Sequence, residues 1–139
     1  MSIEPYLVFN GNCREAVTFY AKAFHTPMGQ IMTFGDGMTS GDFSLDEKDR
    51  ERIMHTELLI AGSRVMFSDT LSGQPVTFGD QISLTVISED GDALRSYFAA
   101  LKVGGTVDME LQETFWSPCY GMVKDAFGIS WQLSQTMSE

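Results

Sequence analysis

Cysteine, histidine and basic side chains are scarce in this chain of 139 residues, and each shortage narrows what it can be. The two cysteines, Cys13 and Cys119, form neither a CxxC pair nor a framework with histidines, which argues against a disulfide scaffold or a structural zinc site. Both are expected as reduced thiols. Nine Lys and Arg stand against nineteen Asp and Glu, a formal net charge of −10, and the nine are scattered rather than clustered. A surface that neutralises nucleic-acid phosphates is therefore not expected, and nucleic acid is set aside as a partner. No stretch approaches the roughly 20 uninterrupted apolar residues of a membrane span. The opening residues, MSIEPYLVF, lack the basic segment and apolar run of a signal peptide, so a cytoplasmic protein with no membrane partner is expected.

What is present suffices for one core. Hydrophobic residues make up 43% of the chain, and a domain of this length buries about 68–70% of its unfolded surface, so residues 1–139 are read as a single domain. Tyr6 to Phe9 is short, aromatic and β-branched and ends at Asn10-Gly11, the pattern of a strand and turn. Asn12 with Glu15 three residues on has the form of a capping box, and Ala16, Phe19, Tyr20 and Ala23 share one face of a helix running to about His25. Gln30 to Phe34 reads as a strand, Gly35 to Gly41 as a flexible loop, and the charged run Asp46 to Arg52 as a solvated connection. Ile53 to Ile60 and Ser63 to Asp69, separated by Ala61-Gly62, read as a β-hairpin.

Thr70 to Asp80, with Gly73, Pro75 and Gly79, reads as a linker. After it the order begins again. Gln81 to Ile87 reads as a strand, and Ser88 to Asp92 as a cap and acidic first turn. Leu94, Tyr97, Phe98 and Leu101 form a helical stripe that Gly104-Gly105 stops. Thr106 to Leu111, Tyr120 to Asp125 and Ile129 to Ser134 supply three further strands. An ungapped shift of 77 sets Glu4 on Gln81, Ala16 on Ala93 and Tyr20 on Tyr97; a shift of 66 sets Met54 on Tyr120, Gly62 on Gly128, Phe67 on Leu133 and Ser68 on Ser134. The expected fold is α+β: two βαβββ modules, 1–69 and 81–139, with eight strands and two main helices. A ferredoxin-like βαββαβ fold would leave two of those strands without a place.

The segments "NGNCREAVTFYAKAF", "MHTELLIAGSRVMFSD" and "CYGMVKDAFGISWQL" resemble the vicinal-oxygen-chelate superfamily of glyoxalases, bleomycin-resistance proteins and extradiol dioxygenases. "DAFGISWQL" with "HTEL" points within it to the PhnB-like branch, often labelled by similarity to a demethylubiquinone methyltransferase. The resemblance implies two curved-sheet modules and a homodimer. It implies no particular reaction, because the fold hosts isomerases, lyases, oxygenases, thiol transferases and binding proteins. The methyltransferase label finds no support in a Gly-rich loop between a strand and a helix that would hold a nucleotide-like donor.

Enzymes of the superfamily hold a divalent metal with side chains from the first and last strands of each module. The two shifts carry those positions onto Glu4 (with Pro5 as the neighbouring alternative), Met66, Gln81 and Gln132. One carboxylate, two neutral amides and a thioether suit a hard divalent ion poorly, so no cofactor is expected, with a weakly bound divalent metal as the alternative. The amides of Gln81 and Gln132 are alternatively ligand-binding groups.

Other candidates follow from the residues themselves. His55 and Glu57 lie two apart on a strand, so their side chains share a face and suit general acid–base work, with Glu57 orienting the imidazole; a structural polar pair is the plainer alternative. Trp116 and Tyr120, beside Pro118, are candidates for stacking on a planar ligand, whereas Phe115 is expected to seal the core. Two functions are carried forward. The first is a small-molecule-binding protein for an aromatic or amphipathic ligand. The second is a lyase or isomerase that uses a weak metal or the His55/Glu57 pair.

Overall fold

The computed structural model describes residues 1–37 and 45–137. The chain divides into two compact units, Met1–Thr77 and Phe78–Glu139. Among the described residues no helix is long and apolar enough to cross a membrane.

The first unit runs β1 (Tyr6–Phe9), α1 (Cys13–Ala23), β2 (Met32–Thr33), the four-residue α2 (Phe34–Gly37), a 3-10 turn at Glu47–Asp49, β3 (Ile53–Ile60) and β4 (Ser63–Asp69), with sheet order β1-β4-β3-β2. The second runs β5 (Leu84–Ser88), α3 (Gly91–Leu101), β6 (Thr106–Gln112), β7 (Tyr120–Lys124) and β8 (Ser130–Gln135), with order β5-β8-β7-β6. Each is a βαβββ unit, so the duplicated α+β architecture with eight strands and two long helices stands. In both, the first strand runs parallel to the last, a pairing that needs the helix as its crossover.

The helix covers one sheet face and the strands' alternation decides which side chains it buries. In the first unit Cys13, Ala16, Val17 and Tyr20 of α1 are buried with Thr56, Leu58, Ile60, Val65 and Phe67, and the Tyr20 and Phe67 rings stack 5.8 Å apart. In the second, Leu94, Phe98 and Leu101 of α3 are buried with Val86, Val123, Trp131 and Leu133. The alternate positions face the other way, onto the open side of each sheet.

Several expectations change in detail. The Asn12 side chain makes no cap bond, because its backbone (φ −109°, ψ 21°) is not the extended one from which a cap reaches the first-turn amides. A tertiary group substitutes: the buried carboxylate of Asp69 accepts from the amides of Gly11 (2.8 Å) and Cys13 (3.0 Å), and its other oxygen from Ile53 (2.9 Å). In α3 Asp90 caps as expected, accepting from Asp92 and Ala93 at 3.1 Å. The strand expected over Gln30 to Phe34 is only Met32–Thr33, because the amides of Phe34 and Gly35 turn to the carbonyls of Arg52 and Arg50. Of the loop expected over Gly35 to Gly41, Gly35 to Gly37 lie in α2 and 38–41 fall outside the described residues.

The run Asp46 to Arg52 is not simply solvated. Asp49 is 4% exposed, receives the amide and hydroxyl of Ser72 (3.1 and 2.9 Å) and pairs with Arg52 at 3.3 Å. Arg52 in turn donates to the Thr70 carbonyl at 2.8 Å, so this segment fastens the chain that leaves β4.

The internal repeat also differs from the ungapped shifts. By strand register Tyr6 lies beside Met66 and Thr85 beside Gln132, so β1 maps on β5 with a shift of 79; the buried helix stripe Ala16, Tyr20, Ala23 maps on Leu94, Phe98, Leu101 with a shift of 78. The shift of 66 holds for β4 on β8, but β3 maps on β7 with 65, because Glu57 faces Met66 while Met122 faces Gln132. Four residues separate Leu59 from Arg64 and five separate Lys124 from Ser130, so the second hairpin is one residue longer. The position equivalent to Tyr120 is therefore His55, not Met54.

Burial and the neighbouring Asp69 push the Cys13 thiol up to about 12, which keeps it neutral and unreactive. Asp69→Ala should leave the amides of Gly11, Cys13 and Ile53 without their acceptor and lower stability by about 3 kcal/mol in urea unfolding, with Asp69→Asn less damaging. A loss under about 0.5 kcal/mol would show that water replaces the carboxylate.

Candidate functional site

The open face of the first sheet carries Tyr6 and Val8 from β1, His55, Glu57 and Leu59 from β3, and Arg64, Met66 and Ser68 from β4. Strand alternation puts His55 and Glu57 on the face away from α1, as the acid–base reading requires. Next to them lies a cleft of about 440 Å³, formed where residues 26–30 pass beside β3. Pro27, Met28, Met32 and Leu59 give it apolar walls, and His55, Glu57 and Arg64 supply its charged groups. Gly29 makes this approach possible, since a Cβ there would overlap the Glu57 carbonyl, and Thr56 Oγ1 fixes the passing chain by donating to the Gln30 carbonyl at 3.0 Å.

The charged groups form one chain. His55 Nε2 lies 3.6 Å from Glu57 Oε2, Glu57 lies 3.5 Å from Arg64 Nη1, and Arg64 donates through Nε (3.1 Å) and Nη2 (2.8 Å) to the two oxygens of Glu4. The bonded Arg64 guanidinium holds the Glu4 carboxyl below the usual carboxylate range, and the same bond raises Arg64. The Tyr6 and His55 rings are tilted against each other at 6.0 Å.

The second unit places different chemistry on the equivalent face. Tyr120, Met122 and Lys124 of β7 and Gln132 of β8 line it. The Tyr120 hydroxyl donates to Gln132 Oε1, and Gln132 Nε2 donates to Ser83 Oγ at 2.8 Å. A polar cleft of about 570 Å³ includes Gln81, Ser83, Asp108, Lys124 and Gln132 among its walls. Trp116 is 46% exposed and packs edge-on to Tyr120, with ring centroids 5.2 Å apart. Phe115, expected in the core, is 90% exposed, because the chain from 113 to 118 turns on Thr114 and Ser117 and directs only Ser117 inward. Cys119 is buried, and its carbonyl accepts from Ser117 Oγ at 2.9 Å.

The metal positions carried over from the resemblance do not make a donor set for a divalent ion. Glu4 is bound through both oxygens to Arg64, Met66 offers a thioether, and Gln132 is engaged by Tyr120 and Ser83, leaving Gln81 as an exposed neutral amide. Among the described residues, no group of three or more His, Cys, Asp or Glu is placed to hold a metal ion.

Of the candidates, His55, Glu57 and Glu4 are thus joined in one chain with Arg64, which the sequence reading had not singled out. Tyr120 and Gln132 are joined in another. Arg64 was detectable in principle, because Glu4 and Arg64 fall opposite each other once β1 is aligned parallel to β4.

A sequence model of the family described as "3-demethylubiquinone-9 3-methyltransferase" matches residues 1–134. The chain is similar to protein PA1353 from Pseudomonas aeruginosa, with 31% identity, 99% of each chain covered and a TM-score of 0.84. It is also similar to a putative 3-demethylubiquinone-9 3-methyltransferase, PhnB protein, from Bacillus cereus, with 24% identity over 98% of this chain and 100% of that one and a TM-score of 0.78. The fosfomycin resistance protein FosX from Listeria monocytogenes shares the fold at 14% identity, covering 98% and 94% of the two chains with a TM-score of 0.60.

The Glu4–Arg64 pair sets a pH expectation. In a carboxyl-detected NMR titration Glu4 should ionise below its ordinary value of 4.5, and Arg64→Gln should return it towards 4.5. A carboxyl depressed in the folded state adds stability above its unfolded value and loses it as the pH falls through the folded one, so any contribution of the pair disappears on the acid side of 4.5. A Glu4 midpoint unmoved by Arg64→Gln would rule the pair out in solution.

Proposed function

We propose a small-molecule-binding role for this chain, which belongs to the family described as 3-demethylubiquinone-9 3-methyltransferase, the PhnB-like branch of the vicinal-oxygen-chelate superfamily. The observation that carries the proposal is the first-unit cleft. Its volume of about 440 Å³ lies within the range of ligand pockets, and apolar walls surround a few convergent polar groups, the arrangement that binds an amphipathic molecule.

The proposed role includes no tightly bound metal and no methyl transfer. Of the four metal positions, Glu4 and Gln132 are engaged by other side chains, and Met66 and Gln81 offer only a thioether and a neutral amide. The amides at the two strand-to-helix turns are already engaged, since Gly11 and Cys13 donate to Asp69, and Asp92 and Ala93 donate to Asp90, so neither turn offers a nucleotide-like donor the free backbone cradle of a Gly-rich loop.

Thermal unfolding with a panel of amphipathic small molecules tests the role. A ligand at 100 times its dissociation constant should stabilise the protein by about 2.7 kcal/mol, and Leu59→Asn, which removes apolar surface from the cleft wall without adding charge, should sharply reduce the effect while leaving the unliganded midpoint near its original value. Ligands that stabilise both proteins equally would put binding elsewhere. The same assay with Mn, Ni, Zn and Fe should show no shift; stoichiometric metal lost in Glu4→Ala would overturn the metal-free reading.

A second reading, a lyase or isomerase, is favoured by one observation: His55 and Glu57 are adjacent, partly exposed and on the cleft wall. Were a reaction found, His55→Ala and Glu57→Gln should each slow it by about 10²–10⁴-fold. Turnover unaffected by both would remove acid–base catalysis by this pair.

A further inference from the structure

We propose that the first-unit cleft takes an organic cation, with an apolar body against Pro27, Met28, Met32 and Leu59 and a protonated amine or similar head against Glu57. The proposal rests on the binding role above and adds to it the charge of the ligand.

Among the described residues, Arg64 is the one Lys or Arg on the cleft wall, and the carboxylates of Glu4 and Glu57 already flank it. Its Nε and Nη2 are bonded to Glu4 at 3.1 and 2.8 Å, and its Nη1 faces Glu57 at 3.5 Å. The bidentate bond to Glu4 has the fork geometry that an incoming carboxylate or phosphate would need. An anion would have to take the place of one carboxylate and then remain beside it, two like charges at close range. Glu57 is in the opposite condition. Its contacts, to Arg64 at 3.5 Å and to His55 at 3.6 Å, are both longer than an ordinary hydrogen bond, and its side chain is 44% exposed. It is a charged acceptor on this wall with capacity to spare.

The charge count points the same way. Two carboxylates, Glu4 and Glu57, stand against the one guanidinium of Arg64 in this chain of groups, within a protein of formal charge −10. A field of that sign concentrates cations near the surface and depletes anions. The apolar walls then separate an organic cation from an inorganic one, since only the former has hydrocarbon to bury there.

The test uses the full chain and three probes with the same tail: n-hexylammonium, n-hexanoate and n-hexanol. Titration is followed by the backbone amide shifts of Met28, Met32, His55 and Glu57. Hexylammonium should bind about tenfold more tightly than hexanol, and hexanoate more weakly than either. Glu57→Gln should reduce hexylammonium to the affinity of hexanol and leave hexanol unchanged; Arg64→Gln, which frees both carboxylates, should tighten hexylammonium. Both side chains are partly exposed, so neither variant is expected to unfold the protein. Hexanoate binding as tightly as hexylammonium, or an unchanged ammonium affinity in Glu57→Gln, would overturn the cation proposal while leaving the binding role in place. Failure of all three probes to move the cleft amides at millimolar concentration would overturn both.

Discussion

The arrangement of the first unit depends on the carboxylate of Asp69. It sits at the end of β4, is 4% exposed, and collects amides from the β1–α1 turn and from the first residue of β3. A buried carboxylate is stable only when its oxygens are satisfied, and three backbone donors satisfy those of Asp69. The consequence is geometric. The same group sets where α1 begins and where β3 begins relative to β4, and so fixes which residues of β3 alternate towards the helix and which towards the open face. A slip of one residue would exchange His55 and Glu57 with Thr56 and Leu58.

Asp125 performs a related task in the second unit from another place. It lies in the β7–β8 turn and accepts from the amides of Phe127 and Ile129 and from Trp131 Nε1, which anchors the largest fully buried side chain of the core. The two units thus share topology but hold it with carboxylates at non-equivalent positions. That agrees with the one-residue difference in hairpin length, because a turn organised around an aspartate needs an extra residue compared with the tight Ala61-Gly62 turn, where both φ angles are positive.

Local patterns revealed most of the fold. Tyr6–Phe9, Ile53–Ile60 and Ser63–Asp69 were readable to the residue, because alternation and Ala61-Gly62 are signals carried within a few positions. Errors arose where distant partners decide. The strand expected from Gln81 begins at Leu84, since β5 extends only where β8 pairs with it, and the charged run around Asp49 is drawn inward by Ser72 and Arg52. The site was legible in part. Period-two spacing located His55 and Glu57 on one face, but Arg64 and the engagement of Gln132 depend on cross-strand register and on Ser83, which no local pattern shows.

Register alignment makes the contrast between the units chemically informative. His55 corresponds to Tyr120, Glu57 to Met122 and Met66 to Gln132, with Tyr6 and Thr85 beside them on the first strands. One row therefore has an ionisable pair next to a thioether, and the other has a phenol hydrogen-bonded to an amide next to a thioether. In the second row the polar groups satisfy each other through Tyr120, Gln132 and Ser83, a closed chain that an incoming ligand must break. In the first row the contacts of Glu57 are long, so a ligand that donates to it has little to displace. The two units present equivalent open faces, and on the binding role proposed above the copy whose polar groups are less well satisfied is the one suited to receive a polar head.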